Sequence, residues 1–215
     1  QPKAALEGIE YIKCPGPDEE AGVIALKLRE ALETEGKTAA LVTPDRRIAR
    51  RVASELGRWD IEIDDSAGLP LAQTPPGSFL RLTAELVAHH YLPLDLLAIG
   101  KHPLATGGMA PAPFRQLIRD IEVSVLRGPR PASGLAALID LVAEEQTNLK
   151  ELLETIGLMA TDFTAAMAGS KIMLGELLKT HIAFMEALAA SDEQSGRTRL
   201  WSGDDGEATA GFVAE

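Results

Sequence analysis

Hydrophobic and polar positions change their period along this chain. The first third mixes short apolar runs with helix-spaced stretches, and beyond residue 78 only helical spacing remains. Ile9-Glu10-Tyr11-Ile12 alternates apolar with polar residues, which predicts a strand. Thr38–Val42 is a short apolar run with a β-branched end, suited to a strand buried on both faces, and Ile61-Glu62-Ile63 predicts a third. Between the first two strands, Val23, Ile24, Leu26, Leu28 and Leu32 predict a helix capped by Asp18 and ending near Gly36. Between the second and third, Ile48, Val52 and Leu56 recur every fourth residue, flanked by Ala49 and Ala53. Thr43 is the expected N-cap of that helix, with Pro44 at its first position, Asp45 in its first turn and Gly57 at its close. Strand, helix, strand, helix, strand is the order of a parallel α/β layer with right-handed crossovers. Three strands are too few for an independent doubly wound sheet, so the missing strands are expected outside this sequence.

Asp64–Gly68 and Gln73–Gly77 read as a turn-rich connector, after which the strand pattern stops. Phe79, Leu82, Leu86 and Val87 predict a helix, and Pro93 begins another carrying Leu94, Leu97 and Ala98. Pro113–Leu126 is amphipathic, with Phe114, Leu117, Ile118, Ile121 and Val125 inward, and Gly128-Pro129-Arg130-Pro131 ends it. Three longer helices are expected over Ser133–Glu145, Asn148–Ala168 and Lys171–Ala190, with Met159, Met167, Met173 and Met185 at core spacing. The stretch from Ser191 to Gly206 is rich in Ser, Asp, Gly and Glu and reads as mobile. The expected fold class is therefore a partial parallel α/β lobe over residues 1–73 and an all-helical subdomain over 74–190. A flexible tail and the start of a further helix would occupy 191–215.

Composition sharpens this. Hydrophobic residues make up 46% of the 215 but aromatic ones only 4%, a balance that favours helix packing over an all-β sandwich. The net charge of −11 argues against general binding to a polyanion, so any nucleic-acid contact must come from a local basic patch. Arg46, Arg47, Arg50, Arg51 and Arg58 supply one, on the side of the second helix opposite Ile48, Val52 and Leu56. Arg46 and Arg47 stand near that helix's positive end, where cations cost stability. Cys14 is the single cysteine, which leaves no internal disulfide or cysteine metal site and fits a reducing, cytoplasmic setting. No apolar run approaches the ~20 residues of a membrane span. Gln1-Pro2-Lys3 carries no initiator methionine or signal pattern, and both ends read as cuts in a longer polypeptide.

The remaining chemical signals have plain explanations. Ala31–Thr38 matches a relaxed phosphate-loop pattern ending in Gly36-Lys37-Thr38, but that loop needs a strand before it and a helix after it. Here the order is reversed, Glu33 and Glu35 would repel a triphosphate, and the stretch reads as a helix C-cap. His89, His90, His102 and His181 lack metal-ligand spacing, and Asp64-Asp65 lacks the further carboxylates that Mg²⁺ requires. Ser66 and Ser78 have no nucleophile elbow. No catalytic, cofactor or metal residue is assigned.

Cys14–Ala21, Gly36–Arg47, Asp64–Gly68, Thr74–Gly77, Leu126–Pro131 and Trp201-Ser202-Gly203 together resemble the AddB subunits of bacterial AddAB-type helicase–nucleases. The similarity is to the branch described as inactivated superfamily I helicases. It implies a RecA-like second motor domain that begins in residues 1–73 and is interrupted by a helical insertion. It also implies work in double-strand break repair, with DNA and an AddA-like motor subunit as partners. The phosphate loop would lie upstream and the nuclease domain downstream, so the resemblance carries no ATPase, nuclease or iron–sulfur residue to this stretch. Two other classes stay open: a small α/β domain binding a nucleotide or phosphometabolite near Thr43 or Asp64, and a helical protein-interaction module.

Overall fold

The structure, a computed structural model, describes residues 8–66, 68–128, 131–169 and 171–215. It falls into two compact units, Gln1–Gly68 and Leu69–Glu215. Among the described residues there is no strand in either, and this overturns the α/β expectation for the first unit. Residues 9–12, 38–42 and 61–63 do run without helical winding, as their patterns demand. A strand, however, exists only through a neighbour's hydrogen bonds. Among the described residues no backbone hydrogen bond joins Thr38–Thr43 to Ile61–Asp64. A parallel RecA-like sheet is therefore absent, and the first unit is two helices bordered by unpaired extended segments.

Those helices are α1 (Pro17–Leu32) and α2 (Arg46–Gly57), which pack against each other. Pro17 needs no N–H partner at the helix start, and Asp18, Glu19 and Glu20 complement the positive end of α1. Gly16, and not Asp18, is the N-cap residue. The buried core is Ala21 and Ala25 against Ile48, Val52 and Leu56. Two alanines let the backbones approach, and Ile24 and Leu28 of the predicted apolar set pack beside them. Leu26 and Leu32 are exposed instead. On α2, the N-cap is Asp45, whose carboxylate accepts the Arg47 N–H at 2.8 Å. Thr43 serves one step earlier by accepting the Asp45 N–H at 3.1 Å.

The second unit winds through α3 (Pro75–Ala88), α4 (Pro93–Gly100), α5 (Pro111–Ile121) and α6 (Leu135–Ile139). It continues through α7 (Thr147–Met159), α8 (Thr161–Ala168), α9 (Leu174–Ala189), α10 (Gly196–Trp201) and α11 (Gly203–Ala214). Gln73–Gly77 is not simply a connector. Pro75, Pro76 and Gly77 form the first turn of α3, and Thr74 caps it by accepting the Gly77 N–H at 3.2 Å. Beyond α5 the chain widens into a π-turn over Glu122–Leu126. The single helix expected over Asn148–Ala168 breaks at Ala160 into α7 and α8. Phe79, Phe114, Phe163 and Phe184, all fully buried, fill one core with Leu86, Leu96, Ile99, Ile121, Leu153 and Met185. Met173 is 78% exposed and Met167 also lies at the surface, so only part of the methionine series is core filler.

The segment expected to be mobile folds into α10 and α11. Ser195 caps α10 by accepting the Thr198 N–H at 3.2 Å, and Leu200 is buried. Trp201 donates its indole N–H to the Glu186 carboxylate on α9 at 2.7 Å. The contact is so close at Gly196 that a Cβ there would stand 1.7 Å from the Glu186 carbonyl oxygen. Gly175, near the start of α9, has open space at its Cβ position. Gly196→Ala should lower stability by about 1–3 kcal/mol, because backbone would have to move. Gly175→Ala should leave it unchanged or raise it by about 1 kcal/mol. Urea unfolding of both variants checks the pair.

Candidate functional site

The five arginines of the first unit are not one free basic face. Arg46 grips Asp65 with both terminal nitrogens, at 2.9 and 2.5 Å, and donates to the Gly68 carbonyl at 3.1 Å. The Asp65 carboxylate raises the Arg46 pKa further, and these contacts tie the start of α2 to Asp65 and Gly68. Arg51 pairs with Asp18 at the start of α1, and Arg58 with Glu55 at 3.1 Å. Arg47 is 86% exposed and reaches back only loosely, 3.5 Å, to its own N-cap Asp45. Asp45 is held below the usual carboxylate range chiefly by the Arg47 backbone N–H. Arg50 is exposed, and no ion pair engages it among the described residues. The structure thus divides the set: Arg46 and Arg51 brace the fold, Arg58 is paired locally, and Arg47 and Arg50 present charge to solvent.

Beside α2 lies a cavity of about 640 Å³. Its walls are Ala39–Thr43 on one side and Ile61–Ser66 on the other, with Leu28, Val52 and Leu56 behind them. Leu41 and Ile61 turn partly into the core. Val42, 94% exposed, and Ile63 stand at its wall; elsewhere in the unit Tyr11 is 88% exposed, with Ile9 and Ile12 also at the surface. These are the side chains that the predicted strands would have covered. Gly36, with φ +74°, turns the chain after α1, and the Lys37 N–H donates to the Thr34 carbonyl at 3.1 Å. No helix N-terminus follows at Thr38 to face a phosphate, so Gly36-Lys37-Thr38 lacks the phosphate-loop geometry.

The second unit brings together polar pairs that have no signature in sequence. His102 Nδ1 accepts the Leu104 N–H at 3.2 Å, which leaves its proton on Nε2. That N–H donates to Ser78 Oγ at 3.0 Å, and the Ser78 hydroxyl donates to the Pro75 carbonyl at 3.0 Å. A serine–histidine pair with this proton order cannot abstract the serine proton, so it is a structural relay and not a nucleophile. His181 stacks on Phe163 with ring centroids 4.4 Å apart. Its Nε2 lies 2.8 Å from Thr83 Oγ1, whose proton goes to the Phe79 and Leu80 carbonyls. His89 pairs with Asp95 at 2.8 Å. Among the described residues no three His, Cys, Asp or Glu side chains are grouped to hold a metal ion. No helix among them is long and apolar enough to cross a membrane.

With this geometry in hand, comparison with known proteins adds no neighbour. No family model matches the chain, and neither curated proteins nor solved structures give a match.

Burial pushes the His102 and His181 pKa values down to about 4 from 6.5. Between those values the unfolded chain takes up protons that the folded chain refuses, so stability is full above pH 6.5 and falls as pH drops. A ring held neutral at pH 5, such as the nearly buried His181, accounts for roughly 2 kcal/mol of that fall. His181→Gln keeps a donor for Thr83 and should shrink the loss between pH 7 and pH 5. Urea midpoints at the two pH values give the comparison, and an undiminished loss in the variant would contradict the assignment.

Proposed function

We propose that this chain is a non-catalytic piece of a bacterial double-strand-break-processing complex of the AddB type. In this reading it docks an AddA-like motor subunit and touches DNA in the cytoplasm. The observation that carries the reading is the set of uncovered apolar side chains on extended backbone in the first unit, with Val42 and Ile63 at the cavity wall and Ile9, Tyr11 and Ile12 on the segment before α1. Extended segments with free backbone groups and outward apolar side chains favour association with another polypeptide over solvent. The polar pairs of the second unit are committed to backbone acceptors, which supports a scaffold role over a reaction centre.

The DNA contact in this proposal narrows to Arg47 and Arg50, because Arg46, Arg51 and Arg58 already hold carboxylates. Guanidinium groups on an otherwise acidic chain give local, salt-sensitive phosphate contacts.

Titration calorimetry with an AddA-like motor subunit tests the docking. Val42→Asp/Ile63→Asp should weaken binding at least about tenfold, since two charges would enter an apolar contact. Absence of a complex, or binding indifferent to the pair, would defeat the docking claim. Fluorescence anisotropy at low salt should show a several-fold loss of DNA affinity in Arg47→Glu/Arg50→Glu, and equal affinities would remove DNA from this face.

A further inference from the structure

A small polar cavity lies beside the widened turn that follows α5 in the second unit. It holds about 210 Å³. Asp120, Val123 and Ser124 wall it on one side, and Gln146, Asn148 and Leu149 on the other. Val123 and Ser124 reach it from the π-turn, where the Arg127 N–H donates to the Glu122 carbonyl at 3.1 Å. The volume falls below the roughly 300–1,000 Å³ of small-molecule sites and suits the end of a single side chain.

The protons at the wall select the occupant. The Ser124 hydroxyl spends its only proton on the Asp120 carbonyl at 2.7 Å, so its oxygen can only accept from a ligand. One oxygen of the Asp120 carboxylate accepts the Gln116 amide N–H at 2.8 Å, and no hydrogen bond among the described residues engages the other. Gln116 is itself oriented by Arg119, which donates to its amide oxygen at 3.5 Å. Glu122, the other carboxylate of this turn, is already taken by Lys101 at 2.5 Å and Arg127 at 3.0 Å. The α5 side of the cavity therefore offers acceptors and no side-chain donor. Opposite, the Gln146 and Asn148 amides can each turn an oxygen inward. Leu149 is buried and Val123 is 60% exposed, which gives the same cavity an apolar lining for a methylene stem.

Charge agrees with this inventory. Glu144 and Glu145 precede Gln146, Glu151 lies one turn beyond Asn148 on α7, and all three are exposed. The open N–H groups at the start of α7 carry about half a positive charge, which one carboxylate in the cavity and three outside it outweigh. Lys150, on the same helix, does not line the cavity.

We propose that this cavity receives an arginine side chain of a partner protein, with Asp120 and Ser124 accepting its guanidinium N–H groups and Val123 and Leu149 flanking its stem. Acceptors spread over two walls suit the five donors of a planar fork better than the compact ammonium of lysine. Gln116 is a positioning residue, which holds the Asp120 carboxylate in place. The site belongs to the second unit and does not rest on the docking surface of the first.

The test uses the full chain and fluorescein-labelled peptides of the form Ala-Lys-X-Lys-Ala, with arginine, lysine or citrulline at X, followed by anisotropy at low salt. Citrulline keeps the shape of arginine and loses its charge. The arginine peptide should bind about three- to tenfold more tightly than either of the others. Its addition should also move the backbone amide resonances of Ser124 and Asn148. Asp120→Asn keeps an acceptor for Gln116, so its thermal melt should match the wild type while the preference for arginine disappears. Arginine bound no more tightly than citrulline, or lysine bound as tightly as arginine, would overturn the proposal. So would a preference that survives Asp120→Asn, or shifts that bypass Ser124 and Asn148. Val42→Asp/Ile63→Asp should leave the peptide preference unchanged, so a failure of the first-unit docking and a failure of this cavity are read separately.

Discussion

Every backbone N–H and carbonyl must find a partner or stay in water, and the two units meet that constraint in opposite ways. In the second unit the exposed ends of helices are the problem, and the worst case is the C-terminus of α9. Its last carbonyls are met by the Thr106 and Gly107 N–H groups on Leu188, the Gly108 N–H on Ala190, the Thr106 hydroxyl on Ala189 and Ala190, and the Arg199 guanidinium on Ala189. A cation at that end also answers the partial negative charge of the helix dipole. The loop after α4, the end of α9 and the helix α10 are thereby joined through one patch of polar contacts over a phenylalanine core. Gly196 allows the approach that this patch requires.

In the first unit the constraint is left open. Helices α1 and α2 satisfy themselves: Asp45 caps the start of α2, Asp65 pairs with Arg46 there, and Asp18 pairs with Arg51 farther along. Among the described residues the extended segments have little such internal answer beyond the Ile61 N–H, which donates to the Leu56 carbonyl at 3.2 Å. Residues 39–43 and 61–66 wall a cavity with apolar side chains left partly uncovered, and this is why the site of interest is a surface for association and not a pocket for chemistry. The arginines that remain exposed, Arg47 and Arg50, lie on the side of α2 away from its buried row.

How much of this the residues announced depends on whether the deciding contact is local. Ile48, Val52 and Leu56 place the buried face of α2 correctly because a four-residue repeat has one solution. On α1 the periodicity finds Ile24 and Leu28 but not the closest contacts, Ala21 and Ala25, which serve closeness and not hydrophobicity. The strands failed for a related reason: alternation describes what a segment would do beside a neighbour and does not provide one. The Ser, Asp and Gly content of the tail suggests mobility, yet Ser195 is a cap and Gly196 a point of contact. The arginine pairs, and the links Thr83–His181 and Thr106–Arg199, span up to 98 residues and leave no local trace.

Amide hydrogen exchange across the first unit is the most direct examination of the account. The α2 amides from Arg50 to Leu56 should be protected, while those of Ala39–Val42 and Glu62 should exchange at close to free-peptide rates in the isolated chain. Protection of those extended amides equal to that of α2 would mean that a sheet is present, and would contradict the all-helical description and the docking surface drawn from it.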